Sequence, residues 1–182
     1  MTESKKPETL AAQALGWIDP TTKAIVPPLH LSSTYIRDED NQYRSGRGYI
    51  RADNPSFDQA EALLSALEGG TGSLLFGSGM AAATAVFLAL KPGDHVLAPR
   101  VMYWSLRNWL ANAARGWGLD VEFIAMDDLA ALRAAVRPGK TKLIWIETPA
   151  NPTENRRWKL ATIATIRNAV ITISVMIVAA RL

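Results

Sequence analysis

From residue 56 to residue 147 short apolar runs alternate with amphipathic ones, and few folds accommodate that alternation. Ser56 is placed to cap a helix over Phe57–Glu68, in which Ala60, Leu63, Leu64 and Leu67 recur at helical spacing before Gly69-Gly70 ends it. Gly72–Phe76 reads as a short strand, and Gly77-Ser78-Gly79 turns the chain into a helix over about Met80–Leu90. A strand is expected at His95–Ala98, a helix around Ser105–Ala114, a strand at Val121–Ala125 and a helix near Leu129–Val136. The strand Lys142–Glu147 and the turn Thr148–Pro152 follow. Such βα alternation implies an α/β fold with a mostly parallel sheet and helices on both faces. Ligands of these sheets bind beyond the carboxyl ends of the strands. Three segments then become informative: Gly77–Met80, Arg100–Tyr103 and Glu147–Asn151.

The flanks differ from this middle part. Residues 1–56 are broken by Asp19-Pro20, Pro27-Pro28 and Asn54-Pro55, and Tyr35–Tyr49 is rich in Arg, Asp, Asn and Gly. They read as an irregular, exposed arm of the kind that wraps a partner subunit or simply forms surface loops. At the other end, residues 151–182 carry Arg156, Arg157, Lys159, Arg167 and Arg181 against Glu154 alone, which accounts for all of the formal +3 of the chain. The stretch Ala169–Ala180 is apolar, without charge, Gly or Pro. At twelve residues it is shorter than the roughly 20 that a membrane span takes, and a buried strand is the preferred reading.

Composition removes several function classes. No cysteine is present, so disulfides, thiolate metal sites and cysteine nucleophiles are excluded; the two histidines, His30 and His95, stand alone and read as structural or solvated. The basic excess sits in the tail and forms no stripe on residues 1–150, which argues against a nucleic-acid partner. The amino terminus, MTESKKPETLAAQAL, lacks the apolar core of a secretory signal, and a cytoplasmic location without membrane association is expected.

Four groups of residues are placed for chemistry. In Phe76-Gly77-Ser78-Gly79-Met80-Ala81-Ala82 a strand end turns into a helix whose first amides lack internal acceptors, a geometry that suits a phosphate and is also that of an ordinary βα turn. The same residues match the dinucleotide pattern G-x-G-x-x-A. The acid that should end the next strand is missing, however, because Asp94 precedes it. Tyr49 and Arg51, two apart in an extended segment, point to one side and make a phosphate clamp or a solvated loop. Tyr103, past a strand end, offers a ring platform, and Asn151 offers an amide at another strand end or merely shapes the turn before Pro152.

Taken in order, these segments resemble the trans-sulfuration (Cys/Met metabolism) family of pyridoxal 5′-phosphate (PLP) enzymes, which includes cystathionine synthases and lyases and homoserine sulfhydrylases. The matching pieces are Ala24-Ile25-Val26-Pro27-Pro28 with Ser32-Ser33-Thr34-Tyr35, Tyr49-x-Arg51-x-x-Asn54-Pro55 and Leu67-Glu68-Gly69-Gly70. They continue with Gly77–Ala82, Tyr103 and Glu147-Thr148-Pro149-x-Asn151-Pro152-Thr153. The resemblance implies the large domain of a fold type I, PLP-dependent transferase-like enzyme with PLP as cofactor and an amino-acid substrate. It divides the chain into an N-terminal arm (1–56), a partial PLP-binding α/β domain (57–153) and an anomalous basic and apolar tail (154–182). It implies that Tyr49 and Arg51 reach the cofactor phosphate of a neighbouring subunit in a homo-oligomer. Gly79 and Met80 would give amides to the phosphate of their own subunit, Tyr103 would stack on the pyridine ring and Asn151 would lie beside cofactor and substrate.

The departures from the family pattern matter equally. The family's aspartate for the pyridine nitrogen and its Schiff-base lysine in a Ser-x-Thr-Lys context have no counterpart, since no Asp follows Asp128 and no such lysine motif occurs. No catalytic residue is therefore assigned, and the reading is an N-terminal part of such an enzyme, inactive alone. A shifted reading frame past Thr153 would explain the tail. After Tyr103, Asn108 stands where the family has an arginine, with Arg107 beside it, so the substrate is open. A phosphate-binding or subunit-association fragment without catalysis and a nucleotide-binding α/β domain are the alternatives.

Overall fold

The computed structural model describes residues 6–147, which fall into two compact units that part between Leu75 and Phe76. The expectations for Thr148–Pro152, Asn151 and the tail 154–182 lie outside the described residues.

In the first unit a short helix α1 (Pro7–Ala12) and a 3₁₀ turn (Ala14–Gly16) form within the arm, where the sequence predicts only irregular chain. The helix starts at Pro7, whose missing N–H costs nothing in a first turn. Helix α2 runs over Pro55–Glu68 and begins two residues earlier than expected. Its cap is Asn54, whose side-chain Oδ1 accepts the Ser56 N–H at 2.9 Å, with Pro55 in the first helical position. The Ser56 hydroxyl instead accepts the N–H of His30 at 2.7 Å, across 26 residues of arm. Gly69 ends the helix in the left-handed conformation (φ 65°), where a side chain would be strained.

The expected strand Gly72–Phe76 does not form. A strand needs a neighbour, and no strand among the described residues pairs with this run. Its Leu74, Leu75 and Phe76 are 76%, 41% and 42% exposed. The Leu75 N–H donates to the Glu61 carboxylate of α2 at 2.8 Å in place of a ladder partner.

The second unit is a three-stranded parallel sheet in the order β2-β1-β3, as the alternation predicts. Helix α3 (Gly79–Leu88) leads into β1 (His95–Pro99), and α4 (Trp104–Trp109) continues through a π turn (Leu110–Ala114) toward β2 (Asp120–Ile124). Helix α5 (Leu129–Ala135) and β3 (Thr141–Ile144) complete it. Leu106, Leu110 and Ala114 are all buried at a spacing of four. On an α-helix that spacing drifts by about 40° per step, and the wider π turn counters the drift.

All five residues of β1 are buried. Side chains alternate across it. Val96 and Ala98 join Val121, Leu143, Ala83, Phe87, Leu106 and Leu110 on one face, whereas Leu97 meets Ile124, Ile144 and Leu132 of α5 on the other. Phe87 is fully buried, with ring centroids 5.9 Å from Trp109 and 5.2 Å from Trp145.

Polar groups tie the amino ends of the strands together. His95, wholly buried, places Nδ1 2.8 Å from the Thr141 hydroxyl, which also accepts the Arg137 N–H at 2.8 Å. A Glu122 carboxylate oxygen lies 3.3 Å from His95 Nε2, near but not aligned as a hydrogen bond. The Arg137 guanidinium pairs with Glu122 at 2.8 Å and with Asp120 at 2.5 Å. His95 is thus a structural histidine, as its isolation in the sequence predicts.

Phe87→Ala removes the ring on which both tryptophans pack. A loss of about 3–5 kcal/mol is expected for such a core truncation. Urea unfolding followed by tryptophan fluorescence measures it, and a midpoint unchanged from the parent chain would contradict the packing described.

Candidate functional site

The first unit presents the Tyr49–Arg51 pair. A single antiparallel bridge joins Thr34 to Tyr49, and the Ile50 N–H donates to the Ser33 carbonyl at 3.3 Å. The chain then turns at once: the Ala52 and Asp53 N–H groups both donate to the Tyr49 carbonyl at 3.1 Å. From below, the Asp53 carboxylate accepts the Gly48 N–H at 3.2 Å, and the Asp53 carbonyl accepts the Tyr35 hydroxyl at 2.6 Å. Asn54 closes the turn by capping α2. The segment is a turn and not the extended run expected from the sequence, so it is the turn that brings the Arg51 guanidinium to 5.2 Å from the Tyr49 ring centroid.

Tyr49 is half exposed, and Arg51 is absent from the ion pairs of the described residues. The neighbouring arginines are committed elsewhere. Arg44 pairs with Asp38 and Asp40, and this contact holds the Asp40 carboxyl below its ordinary value. Arg47 pairs with Asp58 in the first turn of α2, which raises the guanidinium above its ordinary value. Arg37, whose Nε–H donates to the Tyr43 hydroxyl at 3.0 Å, and Arg51 are the arginines of this arm outside those ion pairs.

The second unit presents the start of α3. The Ser78 hydroxyl caps the helix by accepting the Ala81 N–H at 3.1 Å, and the Ser78 carbonyl accepts the Ala82 N–H at 3.0 Å. The Gly79 and Met80 amides find no acceptor among the described residues. Beside them a Cβ added at Gly77 would meet nothing within 4 Å. A phosphate fits this arrangement, because the unpaired amides and the helix dipole attract an anion and the glycine leaves room for one. Since α3 turns back through Lys91–Asp94 into β1, its first residues lie toward the carboxyl end of that strand.

Tyr103 follows the same strand end, opens α4 and is 47% exposed. Its N–H donates to both oxygens of the Glu147 carboxylate, at 3.0 and 3.2 Å. Glu147 lies three residues past β3, so the structure joins two of the three strand-end segments singled out from the sequence. Sequence reasoning placed Glu147 in a motif without giving it a role, since nothing in the chain order says that β3 lies next to β1.

Arg107 turns away from Tyr103. Its Nε–H donates to the Arg100 carbonyl at 3.2 Å, and its guanidinium lies 4.9 Å from the Phe123 ring centroid. Asn108 is exposed and its side-chain oxygen accepts from Asn112 at 2.9 Å. Asp94, the acid weighed for a dinucleotide ribose, caps the Lys91 N–H at 2.8 Å before β1, at the wrong end of the sheet for that task.

An open parallel α/β sheet of this kind binds ligands beyond the carboxyl ends of its strands, and unpaired helix-start amides suit an anionic one. Comparison with known proteins specifies which. Residues 8–179 match the family described as Cys/Met metabolism PLP-dependent enzyme, and the chain belongs to that family.

It is 38% identical over 135 residues to cystathionine gamma-synthase of Mycobacterium leprae, covering 74% of this chain and 34% of that protein. With human cystathionine gamma-lyase the identity is 37% over 134 residues, covering 74% and 33%. In three dimensions it is similar to the metB protein of Corynebacterium glutamicum (TM-score 0.75, 32% identity, 82% of this chain and 39% of that one). A cystathionine gamma-lyase of Lactobacillus plantarum, solved with L-serine, gives a TM-score of 0.71 at 34% identity, covering 81% and 38%. The chain thus spans about a third of the length of the curated relatives. The family match continues past Thr153, where the motif-by-motif resemblance ends, to residue 179.

Asn54→Ala should destabilise the first unit by about 0.5–2 kcal/mol through loss of the cap. It should also loosen the turn that holds Arg51 over Tyr49. Amide exchange at Ala52, Asp53 and Ser56 reads both effects, and unchanged protection at all three would show that Asn54 does not set the turn.

Proposed function

We propose that this chain supplies the cofactor-gripping part of a PLP-dependent trans-sulfuration enzyme. The reaction class is β- or γ-elimination or γ-replacement on a sulfur amino acid or an activated homoserine. The observation that carries the reading is the pair of unpaired amides, Gly79 and Met80, at the start of a ten-residue helix in a chain of this family. Gly79 and Met80 would hold the phosphate, Tyr103 would lie against the pyridine ring, and Asn151 would stand beside cofactor and substrate. When bound, PLP supplies an electron sink for a carbanion at the substrate.

Tyr49 and Arg51 would serve the phosphate of a neighbouring copy. Exposed aliphatic side chains along the arm support such a contact: Ile25, Val26, Leu29, Leu31 and Ile36 are 69–93% exposed, more apolar surface than an isolated segment usually leaves to water. PLP affinity and association should then change together. Light scattering during a PLP titration is expected to show weaker binding where dilution yields monomers. A folded monomer that binds PLP as tightly as the associated form contradicts the shared site.

We further propose that the chain alone does not catalyse the reaction. Proton transfer at the substrate needs a lysine bonded to the cofactor and lowered in pKa by its surroundings. Lys91 and Lys140 precede β1 and β3, and Lys142 lies in the first half of β3, so these three sit at the end of the sheet away from the phosphate turn. Lys6 and Lys23 belong to the arm, and Lys5 and Lys159 lie outside the described residues. Borohydride reduction with PLP followed by peptide mass spectrometry should label no lysine stoichiometrically, and cystathionine turnover should stay at the free-PLP background. One stoichiometrically labelled lysine with turnover above that background overturns the proposal.

A further inference from the structure

We propose that Glu147 is a positioning residue that aims the Tyr103 ring. This rests on the reading of Tyr103 as the cofactor's ring platform.

Tyr103 is 47% exposed, and among the described residues its hydroxyl makes no hydrogen bond, so the phenol does not fix the direction of the ring and packing covers only part of the residue. What remains is the backbone. Tyr103 has extended dihedrals (φ −52°, ψ 122°) and stands at the cap position of α4 with no side-chain cap of its own. A tyrosine cannot cap, because its hydroxyl is a ring's length from the first-turn amides. In the capping-box arrangement an acid three residues into the helix reaches back to the N–H of the cap residue. Here the helix has Leu106 at that place, and the acid arrives from another strand.

Both oxygens of Glu147 take the Tyr103 N–H, at 3.0 and 3.2 Å, across 44 residues of sequence. The contact is charge-assisted and therefore stronger than a neutral hydrogen bond. Its anchor is firm: the Trp145 N–H donates to the Leu97 carbonyl at 2.8 Å, which carries the β3–β1 pairing to within two residues of Glu147. The Arg107 N–H donates to the Tyr103 carbonyl at 3.0 Å, so the peptide groups on both sides of the Tyr103 Cα are held. With both fixed, the direction of the Cα–Cβ bond is fixed, and the ring has only its two side-chain torsions left to settle. Glu147 does not have to touch the cofactor to have this effect.

The test uses the full chain and two probes. Pyridoxine 5′-phosphate carries ring and phosphate but no aldehyde to react with lysine, and inorganic phosphate carries the phosphate alone. The ratio of their affinities isolates the ring contribution. Glu147→Ala should lower that ratio about tenfold, the scale of one hydrogen bond to a charged group, and leave phosphate affinity unchanged. Glu147→Gln keeps one acceptor oxygen and should restore most of the ratio; it is also the variant to rely on if Glu147→Ala does not fold. Tyr103→Ala should lower the ratio as well, and the double variant Glu147→Ala/Tyr103→Ala should be no worse than Tyr103→Ala alone. Independently of any ligand, exchange of the Tyr103 amide proton should accelerate in Glu147→Ala and stay slow in Glu147→Gln.

The failures separate. If Tyr103→Ala lowers the ratio but Glu147→Ala does not, or if the two losses add, Glu147 does not act through Tyr103 and the proposal falls while the platform reading stands. If Tyr103→Ala leaves the ratio unchanged, the platform reading falls and the proposal falls with it.

Discussion

Parallel pairing of β1 on both of its edges is the constraint on which the second unit depends. A strand paired on both sides has no edge for water, and its two faces must each be covered by something apolar. The sequence HVLAP meets that demand: Val96 and Ala98 face α3 and α4, and Leu97 faces α5. Parallel neighbours also require that the chain return to the same end of the sheet between strands, which is what the intervening helices do. The carboxyl ends of β1 and β3 consequently lie side by side. The residues that follow them, Tyr103 and Glu147, meet there.

The two ends of this sheet carry different loads. At the amino end, buried and charged groups satisfy one another: His95 with Thr141, Arg137 with Asp120 and Glu122, Asp94 with the Lys91 amide. Removing one partner from such a network is costly, because it leaves a buried polar group unpaired. At the carboxyl end the balance is reversed. The Gly79 and Met80 amides lack acceptors among the described residues, and Tyr103 is half exposed. Polar groups left unpaired at the end where ligands of such sheets bind are what a site for an anionic cofactor needs before the cofactor arrives.

Much of this was legible from residue types. Apolar runs bounded by Gly and Pro marked β1, β2 and β3 to within a few residues. The misreadings have separate causes. Gly72–Phe76 has a strand's composition but no partner strand among the described residues, and backbone pairing cannot be read from one run alone. Ser56 is a good cap by type. Asn54-Pro55 takes the role because Pro55 needs no N–H acceptor at the first position and the Ser56 hydroxyl is engaged by His30.

The sequence by itself determined the helices α2–α5, the three apolar runs that pair, the turn at Gly77–Gly79 and which family motifs are present, since each of these depends largely on neighbours within a few positions. Strand order was decided only in three dimensions. Whether β3 docks beside β1 or beyond β2 depends on which arrangement best buries Leu143 and Ile144 against helices distant in the chain. That choice is a sum over non-local contacts, and local sequence does not encode it. Because β3 takes the β1 edge, the Glu147 carboxylate reaches the Tyr103 amide; from the far edge of β2, two strand spacings from β1, it would not reach.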